Sequence, residues 1–230
     1  MGFIYKPQEN ISIYASYSES FLPRSGEQYA DIDSDADRLD PDVFENREIG
    51  LKWDFDNGIS LTAAYFNIEE ESAGRDNSTA EGSTLRQLEV DGFELELNGQ
   101  ITDKVAIRAG FTRLDGEATD PGDTDERSDA REIPENMASL WTTYQATDTL
   151  GFGFGATYQD KSLINDGGDA TLPSYVRVDA AAYYDVSDDL RIQLNLENLT
   201  DELYFPNAHA THQATVGAPF NASLTISGRL

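Results

Sequence analysis

The sequence predicts an all-β fold, an antiparallel meander of about 10 to 11 strands. Two observations support this class. Apolar residues recur at every second position in many short segments, and the connections between these segments alternate between short and long. No segment has the period of an amphipathic helix, and none approaches the roughly 20 apolar residues of a membrane helix.

Alternation is first complete over residues 11–21, where Ile11, Ile13, Ala15 and Tyr17 share one face and serines occupy the other. A period of two places successive side chains on opposite faces of a strand. Including a partial strand at the start of the chain, the predicted strands cover residues 2–6, 11–21, 49–55, 59–68, 93–97, 105–111, 138–144, 152–158, 176–182, 192–196 and 222–226.

The connections between the predicted strands alternate between short and long. Polar turns occupy residues 7–10, 56–58, 102–104, 146–149 and 187–189, whereas long connections occupy residues 22–44, 70–84, 115–133, 160–173 and 200–218. A transmembrane β-barrel of the bacterial outer membrane has short periplasmic turns and long extracellular loops. The pattern therefore predicts such a barrel, with the C-terminus in the periplasm. Aromatic residues near many predicted strand ends fit the two membrane interfaces.

The amino-acid composition of the chain excludes several classes of partner and of catalytic chemistry. The formal net charge is -27, from 43 acidic and 16 basic residues, which disfavours nucleic acid because phosphate binding needs clustered Lys and Arg. The chain has no cysteine, so thiolate metal sites and Cys nucleophiles are excluded. No Gly-x-Ser-x-Gly elbow is present to support a hydrolase. We therefore predict no enzymatic activity and no cofactor.

Several blocks resemble the TonB-dependent siderophore receptors. The most specific runs from Asn195 to Tyr204, Asn-Leu-Glu-Asn-Leu-Thr-Asp-Glu-Leu-Tyr. The others, in family order, are Tyr17-Ser18-Glu19-Ser20-Phe21-Leu22-Pro23 with Leu39-Asp40-Pro41 and Glu48-Ile49-Gly50-Leu51-Lys52, Ala64-Tyr65-Phe66-Asn67-Ile68, Gly92-Phe93-Glu94-Leu95-Glu96, Pro134-Glu135-Asn136 with Ser139-Leu140-Trp141-Thr142, and Gly217-Ala218-Pro219. Six blocks in order are far more specific than one.

The resemblance implies a barrel of about 22 strands that surrounds an N-terminal plug domain. Residues 1–230 would then be the C-terminal half of the barrel, with the plug and the N-terminal strands outside this sequence. The implied function is outer-membrane uptake of ferric siderophores, energised by TonB with ExbB and ExbD through a missing N-terminal region. Lipid and lipopolysaccharide would surround the barrel.

Aromatic and cationic residues in or beside the long connections are candidate contacts for an anionic, partly apolar iron chelate. We select Tyr29, Arg75, Arg86, Tyr204 and Phe205. We expect no metal site. His209 and His212 are interpreted as solvated, and the acidic runs at residues 31–42 and 120–129 as solvated loops or, alternatively, as divalent-cation bridges to lipopolysaccharide.

Two packing details are also expected. The short polar side chains of Asn198, Thr200 and Asp201 suit backbone groups left unpaired where a strand ends. Gly151, Gly153 and Gly155 occupy one face of a strand, which predicts close approach of another group there.

Two alternative architectures remain open. A self-contained small outer-membrane barrel, possibly an enzyme or adhesin, would pair its first strands with its last. A soluble calcium-binding β-sandwich would pack its apolar rows against each other. If instead these residues form half a barrel, its open edges would leave it inactive alone.

Overall fold

The computed structural model describes residues 1–22, 41–75, 83–120 and 123–228. For residues 73–75, 83–86, 120 and 123–126 it describes the backbone alone. The strands are β1 (Gly2–Gln8), β2 (Ile11–Leu22), β3 (Asp42–Asp54), β4 (Ile59–Arg75), β5 (Ser83–Thr102), β6 (Val105–Asp120), β7 (Asp123–Asp129), β8 (Asn136–Gln145), β9 (Leu150–Gln159), β10 (Ser162–Leu163), β11 (Thr171–Leu172), β12 (Tyr175–Ser187), β13 (Leu190–Glu197), β14 (Ala208–Ala210), β15 (Gln213–Ala214) and β16 (Asn221–Gly228). Over these ranges, no helix is long and apolar enough to cross a membrane.

The main sheet is an antiparallel meander. Its strand order is β1-β2-β3-β4-β5-β6-β8-β9-β12-β13-β16, and β7 pairs with β6 off this path. Each of the eleven predicted segments overlaps one strand of the meander, and only residue 55 falls outside its strand. The predicted all-β class is confirmed.

Cross-strand register separates the residues onto two faces. One row on what we call the apolar face joins Ile13, Leu51, Ala63, Leu95, Phe111, Ala138, Tyr158 and Val176. The adjacent row, on what we call the polar face, joins Ser12, Lys52, Thr62, Glu96, Gly110, Ser139, Thr157 and Arg177. Because side chains alternate along every strand, a shift of one residue would exchange the two faces.

The apolar face is exposed. Phe154, Leu224 and Ile226 are 59%, 64% and 65% exposed, although a soluble sandwich would bury such residues between sheets. The described strands therefore do not form the alternative β-sandwich. Aromatic residues of this face lie near both strand ends: Tyr5, Trp53, Tyr144 and Tyr184 towards the short turns, and Phe21 and Tyr158 towards the long connections.

The sheet does not close on itself. Among the described strands, β1 pairs only with β2, and β16 pairs only with β13. The alternative of a small self-contained barrel required pairing between the first and last strands, and that pairing is not observed in the described ranges.

Short turns join neighbouring strands at one end of the sheet, and long connections join them at the other end. The predicted turn between β3 and β4 is present: Gly58 has φ 82°, and its N–H donates to Phe55 O at 3.0 Å. A positive φ favours glycine because a Cβ would clash there. We call the two ends the short-turn end and the long-loop end.

Three strands extend far into connections that the sequence predicted to be long loops. β4, β5 and β6 have 17, 20 and 16 residues, whereas about 9 to 11 suffice to span a bilayer. The predictions of loops over 70–84 and 115–133 were therefore wrong in extent. Apolar alternation stops within these strands, but backbone pairing continues through polar cross-strand pairs such as Asn67 with Asp91.

Two further connections at the long-loop end carry small hairpins. We define the first long loop as residues 130–135, between β7 and β8, the second as 160–174, which contains β10 and β11, and the third as 198–220, which contains β14 and β15. These strands have only two or three residues each, too few to show apolar alternation, so they were not predicted.

Candidate functional site: polar face and long loops

The polar face carries packed ionic and aromatic groups. Tyr14 Oη donates to Glu48 Oε1 at 2.5 Å, and Lys52 Nζ lies 5.6 Å from the centre of the Tyr14 ring. The ring covers Gly50, where a Cβ would collide with it. These contacts fix a phenol, a carboxylate and an ammonium group on the side of the sheet opposite the apolar face.

Glycines on β9 provide space for a large aromatic ring. A Cβ at Gly153 or Gly155 would collide with the indole of Trp141 on the neighbouring strand β8. The predicted close approach of another group is confirmed for these two positions, and the approaching group is a side chain of the same chain. The glycines therefore have a structural role on the polar face.

Tyr204 is fixed at the base of the third long loop. It is only 6% exposed, and its ring centre lies 4.7 Å from that of Tyr175. Arg177 Nη1 donates to Tyr204 Oη at 3.4 Å, and Arg177 Nε donates to Asp179 Oδ2 at 3.1 Å. Gly217 covers the ring, and its N–H donates to Tyr204 O at 2.8 Å. Tyr204 thus joins both ends of the loop to β12.

Asn198 closes the same loop from inside. Only 1% of it is exposed, and its Nδ2 donates to Glu202 O at 2.9 Å and to Ala218 O at 3.0 Å. Its Oδ1 accepts from Glu202 N at 2.9 Å, while Asp201 Oδ1 accepts from Phe220 N at 2.9 Å. The expectation that short polar side chains satisfy backbone groups at this strand end is confirmed for Asn198 and Asp201.

The second long loop starts at a hydrogen-bonded carboxylate. Asn136 Nδ2 donates to Asp160 Oδ2 at 3.0 Å, and Tyr158 Oη donates to Asp160 Oδ1 at 2.8 Å. These donors stabilise the charged form, so they lower the pKa of Asp160 below its ordinary value. Asp160 therefore stays ionised at neutral pH and ties the end of β9 to the start of β8.

A ladder of acidic residues crosses the apolar face beyond the apolar rows, towards the long-loop end. Register aligns Glu19, Glu45, Glu69, Glu89, Glu117 and Asp129 on six successive strands, β2 to β7. Arg47 bridges Glu45 and Glu69, and Arg127 bridges Glu89 and Glu117. We call these six residues the carboxylate ladder. A cavity of about 300 Å³ opens beside it.

The structure describes the side chains of only two of the five predicted ligand contacts. Tyr204 is buried as described, and Phe205 is partly buried against an apolar cluster of the second and third long loops. Arg75 pairs with Ser83, and Arg86 with Ser72, in the β4–β5 register, but their side chains lie outside the described set. Tyr29 lies outside the described residues. Among the five, only Tyr204 and Phe205 are seen close together.

Sequence reasoning missed several residues that organise this end of the sheet. Arg177 and Asp179 lie within a predicted strand but were not singled out, and neither was Glu132. Glu132 has φ 58° and binds backbone of both other long loops. No local sequence pattern identifies such a residue, because its hydrogen-bond partners are distant in sequence.

Metal ligation finds no support where side chains are described: no group of three or more His, Cys, Asp or Glu is arranged to hold an ion there. His209 and His212 are both exposed, on β14 and in the turn that follows it. The acidic run at residues 31–42 lies almost entirely outside the described residues.

Together these features define a class of protein. A meander with an exposed apolar face, a polar opposite face, aromatic residues at both strand ends, and short and long connections at opposite ends is the wall of a membrane-spanning β-barrel. The organised long loops are typical of a barrel with a binding mouth.

The chain belongs to the family described as TonB dependent receptor-like, beta-barrel, whose model matches residues 1–199. The probable TonB-dependent siderophore receptor PiuA of Acinetobacter baumannii is 39% identical over 243 residues, covering 98% of this chain and 33% of PiuA. The catecholate siderophore receptor Fiu of Escherichia coli K12 is 31% identical over 216 residues, covering 88% of this chain and 28% of Fiu.

Solved structures of siderophore receptors match the fold of the chain over nearly its whole length. The crystal structure of PiuA from A. baumannii has a TM-score of 0.84 at 38% identity, covering 99% of this chain and 35% of that one. The ferripyoverdine receptor of the outer membrane of Pseudomonas aeruginosa, bound to ferripyoverdine, has a TM-score of 0.79 at 28% identity and covers 99% and 32%. The chain thus spans about one third of the length of these relatives.

The family predicted from the sequence blocks is confirmed, as are the antiparallel meander shared with receptor barrels and the outer-membrane class of the family. The relatives named above are receptors, which agrees with the prediction that the chain is not an enzyme.

Proposed function

We propose that residues 1–230 are the C-terminal barrel portion of an outer-membrane receptor that takes up ferric siderophore complexes. The observation that carries the proposal is the family match over residues 1–199, together with siderophore receptors as its relatives. In this proposal a barrel of about 22 strands closes around a plug domain formed by other residues of the receptor. The apolar face contacts hydrocarbon, and the polar face lines the interior.

The proposed orientation puts the long-loop end outside the cell and the C-terminus in the periplasm. The separation of short turns and long loops to opposite ends of the sheet supports this direction, because outer-membrane barrels have short periplasmic turns and long extracellular loops. TonB, with ExbB and ExbD, would energise uptake through an N-terminal region beyond residues 1–230. Lipopolysaccharide would meet the apolar face near the carboxylate ladder, where divalent cations are the natural mediators between two anionic surfaces.

The ferric siderophore would bind at the long-loop end. We retain Tyr29, Arg75, Arg86, Tyr204 and Phe205 as proposed contacts, since aromatic and guanidinium groups suit an anionic aromatic chelate. Tyr204 would contribute mainly by holding its neighbour in place, because only 6% of it is exposed. The strong acidity of the chain disfavours a highly charged anionic ligand.

Uptake of radioactive iron tests the proposal. A strain lacking this receptor would receive the complete receptor gene, and accumulation of ⁵⁵Fe would be measured with catecholate and pyoverdine complexes. We expect accumulation that requires both the receptor and TonB. Arg86→Ala should lower the rate several-fold, whereas Arg113→Ala, which removes an exposed ion pair with Glu135, should not. Equal accumulation with and without TonB would refute the proposal.

A further inference from the structure

Glu132 lies where the three long loops meet. Its N–H donates to Leu163 O in the second long loop at 2.8 Å. Its carboxylate Oε1 accepts from Ala208 N in the third long loop at 3.2 Å. A single residue of the first long loop therefore hydrogen-bonds the backbone of both others.

The backbone of Glu132 is in the left-handed region, with φ 58°. Residues with a Cβ disfavour this region, and Asn, Asp or Gly are the usual occupants. The other two described non-glycine residues with positive φ, Asn198 and Asp201, follow that preference. A glutamate in this conformation is not explained by local backbone preference. Its side-chain contact with Ala208 supplies a reason for the residue type.

Neighbouring contacts extend the junction. Arg131 N donates to Asp166 Oδ1 at 2.9 Å, and Gly167 N donates to Asp129 O at 2.9 Å, which joins the second long loop to the β7 side. An apolar cluster then joins the second and third loops: Ile164, Leu172 and Ala208 form its centre, and Ala170 and Phe205 pack against it.

Phe205 is thereby coupled to Glu132. Ala208 contributes its side chain to the cluster that holds Phe205 and its N–H to the Glu132 carboxylate. The hydrogen bond between Glu132 and Ala208 therefore joins the third-loop part of the cluster directly to the first loop, beside the contacts that hold the second loop to β7.

We propose that Glu132 is a positioning residue: its carboxylate locks the third long loop to the first two, so that the three loops present Phe205 to an incoming ligand in one orientation. The role of Phe205 in binding rests on the proposed function. The locking of the loops is independent of it.

Hydrogen exchange and spin-label distances test the lock without ligand, in the complete receptor purified in detergent. The chain has no cysteine, so Asp169→Cys and His212→Cys, both at exposed positions of the second and third loops, can carry a nitroxide pair with no labelling elsewhere in these residues. In Glu132→Ala we expect the Ala208 amide to exchange about tenfold faster, the effect of one lost charge-assisted bond. We also expect a broader distance distribution.

Three further variants separate the causes. Glu132→Gln keeps an acceptor oxygen and should restore slow exchange and the narrow distribution. Glu132→Gly relieves the backbone conformation but lacks the carboxylate, so it should behave like Glu132→Ala. Glu135→Ala, in the same loop, removes only the exposed pair with Arg113 and should match the unmodified receptor. Unchanged exchange in Glu132→Ala, or full restoration by Glu132→Gly, would overturn the locking role.

Binding of the iron(III) tris complex of N,N-dimethyl-2,3-dihydroxybenzamide, which has no free carboxylates and half the charge of the dihydroxybenzoate complex, tests the link to ligand and is followed by quenching of receptor fluorescence. We expect Glu132→Ala to weaken binding several-fold, mainly by faster dissociation, and Glu132→Gln to bind like the unmodified receptor. Faster Ala208 exchange in a receptor that binds no ferric siderophore complex would overturn the proposed function alone. Faster exchange with unaltered binding of this probe would overturn the coupling of Glu132 to the ligand.

Discussion

Single polar residues fix the long loops of this protein to its sheet. Asn198 shows the physical reason most directly, because its buried amide makes three hydrogen bonds to backbone groups that strand pairing leaves free. A buried backbone group without a partner costs about 1–3 kcal/mol. The loop between β13 and β16 therefore depends on one side chain at its base.

Replacing Asn198 should loosen the third long loop while the sheet persists. We expect Asn198→Ala to destabilise the loop by about 2–3 kcal/mol, through lost hydrogen bonds and a disfavoured positive φ. Asn198→Gly, which tolerates φ 54°, should recover only the backbone part. The measurement is the rate of chymotrypsin cleavage in the loop on whole cells. Asn207→Ala, an exposed asparagine nearby, serves as the control and should cleave at the original rate.

Residue-scale prediction from sequence succeeded where the cause is local. The Asn198 block could be interpreted because capping side chains bond backbone a few positions away. Glu132 and the Arg177–Tyr204 contact could not be found, because their partners are 76 and 27 residues distant in sequence. Only folding brings such pairs together.

At the scale of strands, the two faces predict opposite responses to the same substitution. Leu95 lies on the apolar face and Glu96, its neighbour on β5, on the polar face. Leu95→Arg would place a cation in hydrocarbon and should cost about 2–4 kcal/mol near the bilayer midplane. Glu96→Arg places the same side chain on the wet face and should cost much less.

Heat-modifiable gel mobility of the complete receptor in membranes measures this difference. We expect Leu95→Arg to lower the temperature at which the folded band disappears, and Glu96→Arg to leave it nearly unchanged. Similar losses for both variants would show that the apolar face does not contact lipid.

Strand positions were predictable because apolar residues recur at every second position in each segment. The polar extensions of β4, β5 and β6 were not, since residues in water on both faces need no apolar alternation. The small hairpins β10–β11 and β14–β15 were missed because their strands are too short to show apolar alternation. Their formation depends on contacts between loops.

The whole sheet has two free edges, along β1 and β16, within the described strands. Unpaired backbone groups cannot be satisfied in hydrocarbon, so a stable membrane barrel needs further strands to pair with both edges. In the proposed receptor these strands come from outside residues 1–230.

Residues 1–230 expressed alone with a secretion signal should therefore neither insert nor transport. We expect the protein in the aggregated fraction and no ⁵⁵Fe accumulation above cells without receptor. The complete receptor, expressed from the same promoter, provides the comparison. Transport by residues 1–230 alone would mean that the edges find partners in another way, for example in a second copy.

The carboxylate ladder makes the projecting end of the sheet sensitive to the surrounding electrolyte. Directly opposed like charges on neighbouring strands repel, and Arg47 and Arg127 relieve only part of this repulsion. Screening over the Debye length of about 10 Å at 0.1 M ionic strength supplies some of the rest. In the proposed orientation this end faces the external medium, so the ladder strands would be held together less tightly at low ionic strength than at high ionic strength.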